Sequence, residues 1–154
     1  MHVWDIATKT WFTQNTTAEA GLYPINQSSD LCSVVASAED NSSHNIYLYR
    51  GGDFTDQLGI FILTLPAFHW VLVYNHPPAW DRTEATGTEC LKVHEKHMVV
   101  YHGYPGPDKC DSELGKFQGM EIYDMSSLTW TTEVRFKDQK YLVPGALHAI
   151  IGGK

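Results

Sequence analysis

Runs of basic residues are missing from this sequence, and their absence limits the partners to be expected. The 154 residues include 11 Lys and Arg against 18 Asp and Glu, which gives a formal net charge of −7. Proteins that bind nucleic acids normally present clustered Lys and Arg to the phosphate backbone. We therefore expect no nucleic-acid partner.

A long uninterrupted apolar stretch is also missing. The longest apolar run, residues 59–74, contains Pro66 and His69, whereas a membrane-spanning helix needs about 20 predominantly apolar residues. Residues 1–11 do not show the basic head, apolar middle and small-residue cleavage site of a signal peptide. The sequence thus predicts neither a membrane span nor a signal peptide within this chain.

Helical periodicity is the third absence, because no segment repeats its apolar residues every three to four positions. Short β-branched and aliphatic segments alternate instead with turn-like stretches, which use many of the 12 Gly and 7 Pro. We predict strands at 2–6, from Trp11 onward, and at 31–37, 45–49, 59–65, 69–74, 89–93, 97–101, 119–125 and 129–134. Residues 141–151 are predicted to form one more strand-like segment, closed by Gly152 and Gly153.

Three tryptophans recur at an almost constant spacing. They stand at positions 11, 70 and 130, which are 59 and 60 residues apart, and such a period indicates a repeat architecture. The strand at 59–65 is apolar on both faces, so each face must be covered. Since no helix is predicted to cover them, four-stranded sheets stacked face to face, as in a β-propeller, explain the pattern. A two-sheet sandwich is the alternative, but it gives no reason for the period.

The period divides the chain into four parts. Residues 1–13 are predicted to end a preceding blade, 14–74 and 75–134 to form two complete blades, and 135–154 to begin a next blade or end the propeller. Two blades do not close a ring and would leave apolar faces and strand edges open. The chain could therefore be a fragment or truncated gene product, a self-associating part-propeller, or a chain that needs missing blades. We expect a fragment.

The repeated residues resemble the kelch repeat over nearly the whole chain. The match comprises a β-branched strand, an aliphatic strand ending in two glycines, a strand of the form aliphatic–aromatic–Asp–aliphatic, and a Trp six residues after that Asp. In the middle copy Thr64 replaces the Asp, and in the next copy one glycine of the pair is lost. The matching positions are Asp5, Trp11, Gly51, Gly52, Trp70, Gly103, Asp124 and Trp130.

The resemblance implies an all-β fold, a partial kelch-type β-propeller with two complete antiparallel blades and parts of two others. The sequence is most similar to fungal kelch proteins that are secreted or carried on the cell surface. It implies a non-catalytic module without cofactor that binds a protein or a glycan. The alternatives are a fragment of a copper enzyme of the galactose oxidase type and a truncated remnant without independent function.

The shared residues also have physical roles that do not depend on the family. Gly51 and Gly52 would end a strand where neighbouring blades approach closely. Trp70 and its equivalents would fill the wedge between blades. Asp5 and Asp124 precede tight turns, where a short carboxylate can accept backbone N–H bonds.

Two aromatic residues in long loops are the candidate binding residues. Trp80 lies in the loop 75–88 and Tyr104 in the loop 103–118, where each could stack on a sugar or anchor a protein; ordinary loop packing is the alternative. The segment from His94 to His97 is one residue short of the HExxH zinc motif and is predicted to be a hairpin turn, so no metal site is expected.

Cysteine and asparagine residues suggest covalent modification. Cys90 and Cys110 flank a predicted hairpin and could form a disulfide, with two free thiols as the alternative. Cys32 matches Cys90 in blade register and is predicted to be a small core residue. Sequons for N-glycosylation begin at Asn15, Asn26 and Asn41. With the resemblance, these sequons favour an extracellular or cell-surface location.

Overall fold

The structure, a computed structural model, describes residues 1–19, 23–24, 31–50, 59–73, 88–101, 120–134 and 140–151. Nearly all regular structure in these residues is β, with a single short helix. The elements are β1 (His2–Asp5), β2 (Thr10–Thr13), β3 (Thr17–Ala18), β4 (Leu31–Ser37), β5 (His44–Arg50), β6 (Ile60–Leu65), β7 (His69–Val73), β8 (Glu89–Val93), β9 (His97–Tyr101), β10 (Met120–Asp124), β11 (Thr129–Thr131) and α1 (Gly145–Ile151).

Two antiparallel meanders form the body of the protein. The first sheet has the order β3-β7-β6-β5-β4 and the second the order β11-β10-β9-β8, while β1 and β2 form a separate hairpin. The predicted strands are confirmed, with ends that differ by at most a few residues. One strand was missed: β3 lies in a segment predicted to be a loop, and it adds in parallel to the edge of β7.

The backbone repeats as well as the sequence. The turns that follow β1, β6 and β10 each hold a non-glycine residue with positive φ, namely Lys9 (55°), Phe68 (52°) and Leu128 (57°). Each of these residues lies two positions before a repeated tryptophan. A positive φ is uncommon outside glycine, and Asn41 (56°) and His94 (55°) have it too, in the turns after β4 and β8. The same left-handed residue thus recurs at corresponding hairpin turns of the copies.

Strand β6 is buried on both faces, as its sequence predicted. Ile60 and Ile62 point to one side, Phe61 and Leu63 to the other, and all four side chains are at most 1% exposed. The first pair belongs to the main core, which lies between the two sheets. Facing it from the second sheet are the apolar side chains Met98, Val100 and Tyr123, so the strand alternation of both sheets builds one shared core.

The prediction of a last strand at residues 141–151 is wrong for the second half of that segment. Residues 145–151 form α1, which begins directly after Pro144 and places Leu147 in the core. Val143, Leu147 and Ile150 all pack on the core and are spaced by four and three residues, which is helical spacing. Proline just before a helix and glycine just after it are common boundary residues, and Gly152 follows.

The predicted pairing of Cys90 with Cys110 is not the one in the structure, where a disulfide joins Cys90 to Cys32. Strands β4 and β8, which carry the two cysteines, run side by side at the edges where the two sheets meet. The Cα atoms of Cys32 and Cys90 are 5.3 Å apart, within the range that a disulfide spans. The matching register of the two cysteines was the relevant signal. Cys110 lies outside the described residues.

Removing this cross-link should destabilise the protein. The bridge closes a sequence separation of 58 residues, and the chain-entropy relation gives roughly 4 kcal/mol for a loop of that size. The double variant Cys32→Ser/Cys90→Ser should lose a stabilisation of this order in urea unfolding. Cys110→Ser is the matched control and should unfold like the parent; a loss in Cys110→Ser comparable with that of the double variant would contradict the Cys32–Cys90 pairing.

Candidate functional site

Several predicted site residues lie outside the described part of the chain. They are Gly51, Gly52, Trp80, Gly103, Tyr104, Cys110 and Asn26. Of the two remaining sequons, Asn15 follows the β1–β2 hairpin and Asn41 lies in the turn between β4 and β5, and both are exposed. Glycosylation at these positions stays a prediction.

The two kelch-type aspartates cap their turns in the same way. The Asp5 Oδ1 atom accepts hydrogen bonds from the backbone N–H groups of Ala7 (2.8 Å) and Thr8 (3.1 Å). The Asp124 Oδ1 atom accepts from Ser126 (2.9 Å) and Ser127 (3.1 Å). These are the bonds expected from the sequence, and they fix the direction in which each chain turns back.

In the middle copy, Thr64 stands at the aspartate position. Its hydroxyl donates to the His69 carbonyl at 3.2 Å, and its side chain is fully buried. Thr64 therefore ties β6 to β7 directly and does not cap the intervening turn. A neutral hydroxyl suits this strand, which is buried on both faces, better than a carboxylate.

Asp124 has a second role that Asp5 lacks. Its Oδ2 atom forms an ion pair with Lys96 Nζ at 2.9 Å and lies 3.8 Å from His97 Nε2. Burial acts to raise the pKa of Asp124, but the hydrogen bonds from Lys96, Ser127 and Ser126 outweigh it and hold the pKa below 3.8. The pKa of His97 is lowered, mainly by burial and against the attraction of Asp124.

The repeated tryptophan at position 130 packs between the sheets. Its ring lies 5.8 Å from that of Tyr49 in the first sheet and 5.0 Å from that of Tyr123, both nearly edge-on. Trp11, its equivalent in the N-terminal hairpin, contacts Trp4 with the rings tilted and their centroids 5.2 Å apart, but it is 67% exposed. Trp130 thus lies between the sheets, whereas Trp70, in β7, is half-buried and its predicted wedge role stays a prediction.

A buried hydrogen-bond network joins both sheets to the C-terminal segment. The Tyr47 hydroxyl donates to the Met125 carbonyl at 2.8 Å and lies 2.9 Å from the Tyr141 hydroxyl. Since the Tyr47 proton is used on Met125, Tyr141 donates to Tyr47 and accepts from Asn45 Nδ2 at 3.0 Å. Burial raises the pKa of Tyr47 far above its usual range, so these phenols stay protonated and structural.

Next to this network lies a cleft whose wall is formed by described residues. It has a volume of about 780 Å³ and separates the β4–β5 turn from the C-terminal segment. The lining residues are Ala38, Glu39, Asp40, Tyr141, Leu142, Val143 and His148. A volume of this size falls within the range of about 300–1,000 Å³ typical of ligand sites. We refer to it as the turn cleft.

The turn cleft has an acidic rim. Hydrogen bonds from Ser42 lower the pKa of Asp40, so this carboxylate is ionised at physiological pH. Glu39 forms an exposed ion pair with Lys140, and beyond this pair lies a smaller pocket of about 270 Å³, which Lys92 and Glu95 also line. The opposite wall comes from the segment around the start of α1. It combines apolar Leu142 and Val143 with Tyr141 and His148.

Sequence reasoning missed the turn cleft. Its two walls are about 100 residues apart in the sequence (38–40 against 141–148), and the second wall was predicted to be a strand. The position of Tyr141 depends on bonds to Asn45 and Tyr47, which no local pattern indicates. A local signal that the strand prediction overlooked was the helical spacing of Val143, Leu147 and Ile150 around Pro144.

In the described part of the chain, no three His, Cys, Asp or Glu side chains lie close enough together to hold a metal ion. That part also contains no helix with the length and apolar character of a membrane span.

Replacing Asp124 should destabilise the protein in a pH-dependent way. Asp124→Ala removes the acceptor of two backbone N–H groups and the partner of a largely buried Lys96, so we expect a loss of about 1–3 kcal/mol in urea unfolding. Asp5→Ala is the matched control and should cost less, because Asp5 caps an exposed turn without an ion pair.

The pH dependence follows from the lowered pKa of Asp124. Its ionic stabilisation is complete above the usual carboxyl pKa of 3.8 and is lost as the pH falls below it. Asp124→Asn keeps an acceptor oxygen but removes the charge, so its deficit against the parent should shrink on acidification through this range. A deficit that stays constant there would contradict the ion pair's contribution.

The comparisons with known proteins agree with the repeat pattern. A kelch repeat-containing protein of the fungus Arthroderma benhamiae is 32% identical over 142 residues, which cover 85% of this chain and 19% of that protein. The chain thus spans about a fifth of the length of the curated relative that it matches. No family model and no solved structure matches the chain. The chain is therefore a homologue of a fungal kelch repeat-containing protein, and its nearly all-β structure of antiparallel sheets fits a part of a kelch propeller.

Proposed function

We propose that this chain is a non-catalytic interaction module that binds a protein partner through the turn cleft. The observation that carries the proposal is the cleft itself. It has a volume of about 780 Å³, and its acidic rim lies opposite the apolar side chains of Leu142 and Val143. Kelch repeats typically serve protein interaction, and the homology supports that class of function. The partner's binding segment should be a peptide with a basic side chain next to an apolar one.

The chemistry of the cleft selects such a segment. Asp40 and Glu39 offer carboxylates that a Lys or Arg side chain can pair with. Leu142, which is 67% exposed, and Val143 offer apolar contact to the neighbouring side chain. Binding would bury this exposed apolar surface, and the removal of apolar surface from water favours association.

Long-range electrostatics favours the same class of partner. The net charge of −7 gives the molecule a negative field, which attracts cationic segments and repels acidic ones. The ion pair between Glu39 and Lys140 is exposed and therefore weak. Glu39 can thus exchange Lys140 for a basic side chain of the partner at little cost.

Selection of peptides from a random phage-displayed library on the immobilised chain tests the proposal. The selected peptides should combine Lys or Arg with adjacent apolar residues. The variant Glu39→Lys/Asp40→Lys should bind them at least about tenfold more weakly, since one lost charge-assisted contact is worth about 1.5–3 kcal/mol. Raising the salt concentration should weaken binding to the parent.

The matched control is Glu19→Lys/Glu133→Lys, which changes the net charge equally at two exposed positions outside the cleft lining. This control should retain most of the affinity. Equal losses in both variants would show that only overall charge matters, and selected peptides without basic residues would show that the cleft is not the site.

A further inference from the structure

Two apolar surfaces of the described structure are exposed, one on the β1–β2 hairpin and one on the second sheet. The hairpin face consists of Trp4 and Trp11, which are paired across β1 and β2 and are 42% and 67% exposed. The outer face belongs to the second sheet and consists of Leu91, Tyr101 and Met120, which are 66%, 56% and 66% exposed. Exposed apolar surfaces of this kind commonly mark interaction sites.

The outer face is the side of the second sheet that points away from the first. Tyr101 pairs with Met120 in register, and Leu91 lies two residues further along the sheet on the same side. The opposite side carries Met98, Val100 and Tyr123, which belong to the shared core. Successive residues of a strand alternate between faces, so the three exposed residues and the three core residues lie on opposite faces of the second sheet.

The hairpin face corresponds to one half of the interface inside this chain. Trp4 pairs with Trp11 as Tyr123 pairs with Trp130. Both hairpins have the aspartate-capped turn and the residue with positive φ before the tryptophan. In the second sheet this pair packs on the first sheet, where Trp130 contacts Tyr49.

The outer face corresponds to the other half of the same interface. Met120 precedes Trp130 by ten residues, as Ile60 precedes Trp70. Tyr101 pairs with Met120 in the second sheet as Tyr49 pairs with Ile60 in the first. Tyr101 is therefore the counterpart of Tyr49, the residue on which Trp130 packs.

We propose that two copies of this chain associate head to tail, with the outer face of one copy against the hairpin face of the next. Trp11 of one copy would pack on Tyr101 of the other, as Trp130 packs on Tyr49 within the chain at 5.8 Å. A second copy is the occupant that fits, because one chain carries both complementary halves. Such an interface is heterologous, so association continues into a ring or a chain of copies. The proposal is independent of the turn cleft.

Sedimentation of the recombinant chain over a dilution series tests this association. The weight-average mass should rise with concentration to at least twice the monomer mass of 17.4 kDa. Trp11→Asp removes the hairpin face and Met120→Asp the outer face, and each variant alone should be monomeric. Mixed in equal amounts, the two should form a complex of two chains and nothing larger, because each variant supplies the half that the other lacks.

The control is Val35→Asp, which places the same charge at an exposed apolar residue (44%) outside both faces. It should associate like the parent. Leu91→Asp provides a second outer-face variant, and cooperative unfolding of every variant must be checked. A parent chain that stays monomeric up to its solubility limit, or a mixture of the two variants that forms no complex, would overturn the proposal.

Discussion

The structure depends on one buried hydrogen bond, in which the Tyr47 hydroxyl donates to the Met125 carbonyl. Tyr47 lies in the first sheet and Met125 directly follows β10 of the second, so this bond joins two sheets that each bury one face against the other. It also leaves the Tyr47 oxygen as acceptor for Tyr141, which brings the C-terminal segment into the same network. An unpaired buried phenol or carbonyl costs about 1–3 kcal/mol, and this cost restricts how the three parts can fit together.

The other features follow from this arrangement. Once the sheets face each other, β4 and β8 lie side by side and Cys32 meets Cys90. The Asp124 turn, held by Lys96, sets where Met125 presents its carbonyl. Tyr141 in turn places Leu142, Val143 and α1 opposite the β4–β5 turn, which creates the turn cleft. The cleft is thus a product of packing between distant segments and not of any loop motif.

The sequence predicted the features that depend on local pattern. The strands, the buried two-sided β6 and the aspartate-capped turns each need only a few neighbouring residues, and these were predicted. The disulfide, the helix and the cleft depend on which segments meet in space. Cys32 and Cys90 have matching register, but the adjacency of β4 and β8 was not evident, so the nearer Cys110 was predicted as the partner of Cys90 and Cys32 as a small core residue. For α1, the aliphatic content of residues 141–151 suggested a strand, whereas burial of Leu147 between the sheets and the start at Pro144 favour a helix.

A double-mutant cycle with Tyr47→Phe and Tyr141→Phe tests most directly whether the phenol network holds the sheets and the C-terminal segment as one unit. Free energies of unfolding of the parent, both single variants and the double variant give the coupling between the two hydroxyls. Groups in one network couple by about 0.5–3 kcal/mol, and we expect a value in this range with each single variant destabilised. Losses that simply add, within about 0.3–0.5 kcal/mol, would contradict a network in which Tyr47 ties the three parts together.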